Sequence, residues 1–196
     1  MNIQANNKRV IAGISWSSLS SIVNYILLFT RTLILVRILA PEDFGIMALS
    51  LLLVTTIKQF SNMGLEQALV QKDNVTESTI NTIWVASILR GIIFFILIIL
   101  ISPLYADFFD EQKLTQILLI ISFATIVNGF KNSYSSLLQK ELRFEKIFKL
   151  VVFSGIIEFI STISLALIFE NVMALAIGYL IGSISLVILS FTLIKR

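Results

Sequence analysis

The chain predicts an all-α polytopic membrane protein, a six-helix transmembrane bundle, and three observations lead there. Hydrophobic residues fill 57% of its 196 positions and charged residues only 14%, against roughly 45–50% and about 25% in ordinary soluble domains. The mean hydropathy is +0.93. The apolar residues also come in long runs such as Ile92–Ile101, apolar on every side. Membrane barrels instead use alternating segments of roughly ten residues.

With about 20 residues needed per crossing, six spans are expected, at 10–36, 44–65, 79–102, 114–138, 148–169 and 172–194. The first follows Lys8-Arg9, as a secretory signal core would, but it continues past the usual core length without a small-residue cleavage site. It is read as a retained span. The second begins at Pro41-Glu42-Asp43: proline cannot continue the helix before it, and carboxylates suit the positive end of the next one. The third stops before Pro103, which leaves Asp107, Asp110 and Glu111 in an outer loop, a solvated turn and not a metal site. After the fourth, residues 139–149 alternate charge with Leu142, Phe144, Ile147 and Phe148, and read as a surface amphipathic helix or a solvated loop. The sixth carries Gly178 and Gly182, a spacing that lets helices approach closely. No linker or low-complexity tract divides residues 1–196, so one domain is expected.

Charge sets the orientation. Short connections make neighbouring helices antiparallel, and Lys8, Arg9, Lys72, Lys140, Arg143, Lys146, Lys149, Lys195 and Arg196 then fall on one side, against Arg37 and Lys113 on the other. Cytoplasmic loops carry the Lys/Arg excess, so both termini are expected in the cytoplasm. Trp16 and Trp84 lie near that same boundary, where indole favours the interface.

Composition also excludes several functions. The chain has no Cys and no His, which removes disulfides, thiolate and imidazole metal sites, and His- or Cys-based catalysis. No cofactor or metal is expected, and the chain is not read as an enzyme. The pI near 9.3 comes from cations scattered between apolar runs, so nucleic acid is not an expected partner.

Polar residues recur on single helical faces within the spans. These rows are Ser17, Ser21, Asn24 and Arg31; Thr55, Lys58, Asn62 and Glu66; Ser87 and Arg90; Thr125, Asn128, Lys131 and Ser135; and Ser154, Glu158 and Ser161 or Thr162. Helix–helix hydrogen bonding accounts for the hydroxyls and amides. Ionisable groups at membrane depth are costly unless they face a bundle interior or a water-filled cavity. Lys131 and Glu66 lie close enough to the cytoplasmic end to snorkel. Arg90 and Glu158 are the most central and are candidates to pair with each other, while Lys58 has the least obvious partner. A surplus of cations suits an anion, and phosphate is a usual ligand of Arg and Lys. The candidate substrate-binding set is Arg31, Lys58, Asn62, Arg90, Asn128, Lys131 and Glu158.

Three stretches carry a family resemblance: Pro41-Glu42-Asp43-Phe44-Gly45; Asn62-Met63-Gly64-Leu65 with Ala68-Leu69-Val70-Gln71; and Leu138-Gln139-Lys140-Glu141-Leu142-Arg143-Phe144. Over essentially the whole chain the sequence resembles bacterial polysaccharide transporters of the multidrug/oligosaccharidyl-lipid/polysaccharide exporter superfamily. It is similar in particular to flippases of the lipopolysaccharide (O-antigen) or teichuronic-acid type. The resemblance implies two lobes of helices around a central cavity, alternating access, and an oligosaccharide repeat unit on a polyprenyl diphosphate as cargo, with membrane lipid around it. It also implies a second set of spans. The chain matches the N-terminal lobe, and a continuation, a partner protein or a second copy is expected to supply the other. Asn62 stands where the family often has Asp, Glu66 where it has a small residue, and Phe169–Leu175 lacks the usual glycines.

Two other readings stay open. A drug/cation antiporter of the same superfamily favours buried carboxylates over buried cations. A non-transporting membrane scaffold requires the charges to pair fully or to snorkel.

Overall fold

A computed structural model describes residues 3–61, 76–140 and 143–194. Among them it is all-α: α1 (Ile3–Leu35), α2 (Pro41–Ser61), α3 (Glu77–Phe108), α4 (Lys113–Gly129), the short α5 (Tyr134–Lys140), α6 (Phe144–Phe169) and α7 (Val172–Leu193). Gly13–Leu35, Glu77–Phe108, Phe144–Phe169 and Val172–Leu193 are long and apolar enough to cross a membrane, and α4 is a shorter apolar helix.

Two of the expected segments differ from these helices, each for a local reason. Residues 114–138 are not one helix, because the backbone leaves helical geometry between Gly129 and Tyr134. Asn132 and Ser133, which favour turns, lie in that break. Conversely, α3 does not stop at Ser102 but runs through Pro103 to Phe108. Pro103 cannot donate to the carbonyl of Ile99, and the Ser102 hydroxyl donates to it instead at 3.0 Å. Asp107 is therefore helical. Asp110, at φ 53°, and Glu111 close the helix, with the Glu111 N–H donating to Ala106 O and the Asp110 N–H to Asp107 O. That is the paired bond of a Schellman turn. The surface stretch 139–149 also divides: it supplies the end of α5 and the first turns of α6, where exposed Glu145 and Lys149 pair at 2.7 Å.

The helix α6 ends on Glu170, which sits in the left-handed region at φ 49° while its N–H donates to Ala166 O. A side chain there costs roughly 1–2 kcal/mol that glycine does not. Replacing Glu170 with Gly is expected to stabilise the chain by about 1 kcal/mol, read as a raised Tm of the detergent-solubilised protein. A lowered Tm would show the turn to be unstrained.

Inside the bundle, α4 and α7 are the central helices. Leu114, Ile117, Leu118 and Ile121 of α4 are fully enclosed, packed with Ile46 and Val54 of α2, Ile98 and Ala106 of α3, and Val172 and Ala176 of α7. A smaller cluster joins Leu35 and Leu39 to Ala166, Ala174 and Leu175. The Tyr105 hydroxyl donates to Leu49 O at 3.0 Å and ties α3 to α2. By contrast α1, α3 and α6 present Ile22, Phe29, Ile93, Ile96, Leu100, Ile160 and Ile168 outward. Apolar side chains at that density on the outer helices suit hydrocarbon, not water.

Candidate functional site

A polar cavity of about 260 Å³ opens between α2, α3, α4 and α7, lined by Lys58, Ser87, Arg90, Thr125, Asn128 and Lys131. Small residues make the room. A Cβ on Gly91 would come within 2.9 Å of Thr125 O, and one on Gly129 within 2.8 Å of Ser87 O. The backbones of α3 and α4 thus touch through two glycines and form one wall of the cavity.

Asn128 and the neighbouring Asn132 are held by the groups around them. Asn128 Nδ2 donates to Ala124 O at 2.8 Å and to Ser183 Oγ at 3.3 Å, which ties α4 to α7. Lys131 stands in the break after α4, where Trp84 Nε1 donates to Phe130 O at 3.2 Å. Asn132 then staples the break to the end of α7. Its N–H donates to Ser190 Oγ, its Nδ2 to Ser190 O and Ile194 O, and its Oδ1 accepts from Tyr134 N–H. A break at this depth is tolerated only where other groups satisfy its backbone, and these bonds do so. Neither Lys58 nor Lys131 pairs with a carboxylate among the described residues.

A second cavity, about 240 Å³, lies between α1 and α6 and is lined by Asn24, Tyr25, Arg31, Gly155, Glu158 and Phe159. Arg31 Nη1 donates to Glu158 Oε1 at 2.5 Å, with the two side chains 22% and 27% exposed. Glu158 therefore pairs with Arg31 and not, as its central position suggested, with Arg90. The reason is the packing of α1 along α6, which the order of the spans does not reveal. The expected glycine pair backs this ion pair: a Cβ on Gly182 would sit 2.7 Å from Glu158 Oε2, and one on Gly178 would meet Thr162.

The candidate residues thus fall into two groups. Lys58, Arg90, Asn128 and Lys131 share one cavity, and Arg31 and Glu158 share the other. Lys131, a cavity candidate although near enough to the cytoplasmic end to snorkel, lines the first cavity. Asn62, and Glu66 with it, lie outside the described residues.

Sequence reasoning missed three structural contributions: the reach of Asp43 across the bundle, a close helix crossing and the role of Asn132. Asp43, only 6% exposed, accepts from its own segment at Ala40 N–H and, across the bundle, from Val172 N–H at the start of α7. The Gly91–Gly129 crossing was signalled by small residues four apart, Ser87 with Gly91 and Thr125 with Gly129. Asn132 was signalled by the turn formers Gly129, Asn132 and Ser133 inside an apolar run.

Comparison with known proteins identifies the family. Residues 34–196 match the model of a family described as "Polysaccharide biosynthesis protein". The chain belongs to that family. An "Uncharacterized membrane protein in cps region" of Klebsiella pneumoniae is 29% identical over 184 residues, covering 93% of this chain and 38% of the relative. The "Lipopolysaccharide biosynthesis protein WzxC" of Escherichia coli is 24% identical over 176 residues, 90% of this chain and 36% of the relative. The "Succinoglycan biosynthesis transport protein ExoT" of Rhizobium meliloti is 26% identical over 146 residues, 74% of this chain and 30% of the relative. The chain thus spans well under half the length of the curated relatives it matches. No solved structure gives a significant match.

The family match begins at Ile34. Lys58, Arg90, Asn128, Lys131 and Glu158 lie within it, whereas Asn24 and Arg31 precede it. The chain's apolar helices and membrane relatives make it a multi-pass bacterial membrane protein.

Proposed function

We propose that the chain forms the N-terminal lobe of a flippase that moves a polyprenyl-diphosphate-linked oligosaccharide across the cytoplasmic membrane by alternating access. One observation carries this reading: Lys58 and Lys131, neither paired with a carboxylate among the described residues, meet Arg90 and the neutral donors Ser87, Thr125 and Asn128 around a single cavity inside an apolar bundle. Like charges in a low-dielectric setting repel strongly, and a diphosphate would offset that repulsion. Its polyprenyl tail stays in hydrocarbon. The names of the relatives, with "polysaccharide", "lipopolysaccharide" and "transport" among them, support the same cargo class. Transport, not catalysis, is the activity proposed.

The two other readings gain less from the geometry. An antiporter for cations calls for an available carboxylate, and Glu158 is engaged by Arg31. A scaffold fits the Arg31–Glu158 pair but leaves the cavity around Lys58 and Lys131 without a purpose.

Binding of polyprenyl diphosphate to the full chain in nanodiscs tests the proposal. Lys58→Ala and Lys131→Ala should each weaken it about tenfold, the loss of one charge-assisted contact. Unchanged affinity in both variants would refute it. In vesicles the chain alone should bind without translocating, because a second lobe is needed to close the other side of the pathway.

The orientation is part of the proposal. With both termini cytoplasmic, a cysteine introduced at 110 on this cysteine-free background reacts with an impermeant thiol reagent added outside intact cells, and one at 75 does not. The reverse pattern would invert the topology.

A further inference from the structure

A third cavity, about 400 Å³, opens below the end of α4, where the helix stops short between α3 and α7. Its walls are Ile80, Asn81 and Trp84 of α3, Asn132 and Ser133 of the break, Tyr134 at the start of α5, and Phe191 and Ile194 at the end of α7. That volume falls within the range of roughly 300–1,000 Å³ usual for small-molecule sites.

The chemistry of the walls is selective. Aromatic surface comes from three directions, Trp84, Tyr134 and Phe191, and polar groups are interleaved with it. The amide of Asn132 is occupied by its bonds to α7, and the Trp84 N–H by Phe130 O. The Asn81 amide and the Ser133 and Tyr134 hydroxyls bond to no other described side chain or backbone group. They remain open to an occupant. Among the described lining residues there is no Lys, Arg, Asp or Glu, so none of them offers a countercharge to a phosphate or other ionic head group. The occupant this combination fits is neutral, rich in hydroxyls and bounded by C–H faces that can lie on aromatic rings.

We propose that this notch is a carbohydrate subsite that takes a sugar ring of a lipid-linked saccharide. The inference rests on the flippase reading for its cargo, and it adds to that reading a place separate from the cations. Along α3, Trp84 lies six residues before Arg90, an axial offset of about 9 Å. The offset is in the same sense on α7, from Leu186 in the cationic cavity to Phe191 and Ile194 in the notch. Diphosphate and sugar are consecutive in such a cargo, and the two cavities are consecutive along these helices.

The test uses the full chain in phospholipid nanodiscs with Trp16→Phe, which leaves Trp84 as the sole tryptophan and reporter. Three probes are titrated: polyprenyl diphosphate, the same lipid carrying a trisaccharide, and dodecyl maltoside, which has sugar but no phosphate. Dodecyl phosphocholine serves as the sugar-free control. The glycosylated carrier should bind about five- to tenfold more tightly than the bare one, and dodecyl maltoside should shift Trp84 emission saturably. The double variant Asn81→Ala, Ser133→Ala should abolish both effects and leave the bare carrier's affinity unchanged, since each lost hydrogen bond weakens binding by about two- to tenfold. Equal affinity for the two carriers with no saturable maltoside shift overturns the subsite. So does an equal shift with dodecyl phosphocholine, which would make the notch a general lipid head-group site. Failure of the diphosphate reading looks different: neither carrier binds, while dodecyl maltoside still does and the double variant removes it.

Discussion

Gly129→Leu should unfold or grossly loosen the bundle, with a fall in Tm larger than that of any substitution on the outer faces. The Cβ alone would lie 2.8 Å from Ser87 O and 3.2 Å from Ile88 Cα. Both are backbone atoms of α3 and have no rotamer through which to yield. Overpacking in a tight core costs typically about 1–3 kcal/mol. A whole leucine against a helix backbone lies at or beyond the top of that range, so α3 and α4 must separate and the wall between Arg90 and Asn128 opens. Gly91→Leu should behave alike, because its Cβ would meet Thr125 O at 2.9 Å. Gly45→Ala is the control: nothing lies within 4 Å of its Cβ, and alanine is favoured over glycine in a helix by about 1 kcal/mol. Thermal melts of the solubilised chain decide it. A Gly129→Leu protein melting within a degree of the parent would show that the two helices do not cross here.

Asp43→Ala carries the other large expected loss, about 1.5–5 kcal/mol, the sum of a lost cap at about 0.5–2 kcal/mol and a buried N–H left without a partner at about 1–3 kcal/mol. The carboxylate caps two helices at once, with Oδ2 accepting from Ala40 N–H at 3.3 Å and Oδ1 from Val172 N–H at 3.0 Å. The milder substitution Asp43→Asn retains one acceptor and should fall between the parent and Asp43→Ala. Beyond the drop in Tm, hydrogen exchange at Val172 and Met173 should accelerate relative to the middle of α7. Unaltered exchange there would mean that Asn171, whose side chain accepts from Met173 N–H, caps α7 by itself.

Much of this architecture was legible from the residues, and the limits have physical causes. Long apolar runs announce helices because a bilayer admits little else, and Pro41-Glu42-Asp43 announces the start of α2. Partners across the bundle are another matter. Arg31, Arg90 and Glu158 each lie on a polar face, and which cation meets the carboxylate depends on the packing of α1 against α6. No spacing within a helix encodes that. The break at 130–133 was hidden because Thr125, Asn128, Lys131 and Ser135 keep helical spacing across it. Pro103 misled in the other direction, since the hydroxyl of Ser102 satisfies the carbonyl it abandons.

The shortness of α4 has a consequence for the membrane itself. Its 17 residues rise about 25 Å, whereas the 32 residues of α3 beside it rise about 48 Å. A hydrocarbon layer of about 30 Å matches neither. The helix α4 falls short of that layer and α3 exceeds it, and the two are locked together at Gly91 and Gly129. This hydrophobic mismatch cannot be relieved by sliding one helix along the other. Since α4 packs centrally against α2, α3 and α7, its shortfall is made up inside the protein, by the break at 130–133 and the short α5, and the longer α3 answers to the lipid by tilt.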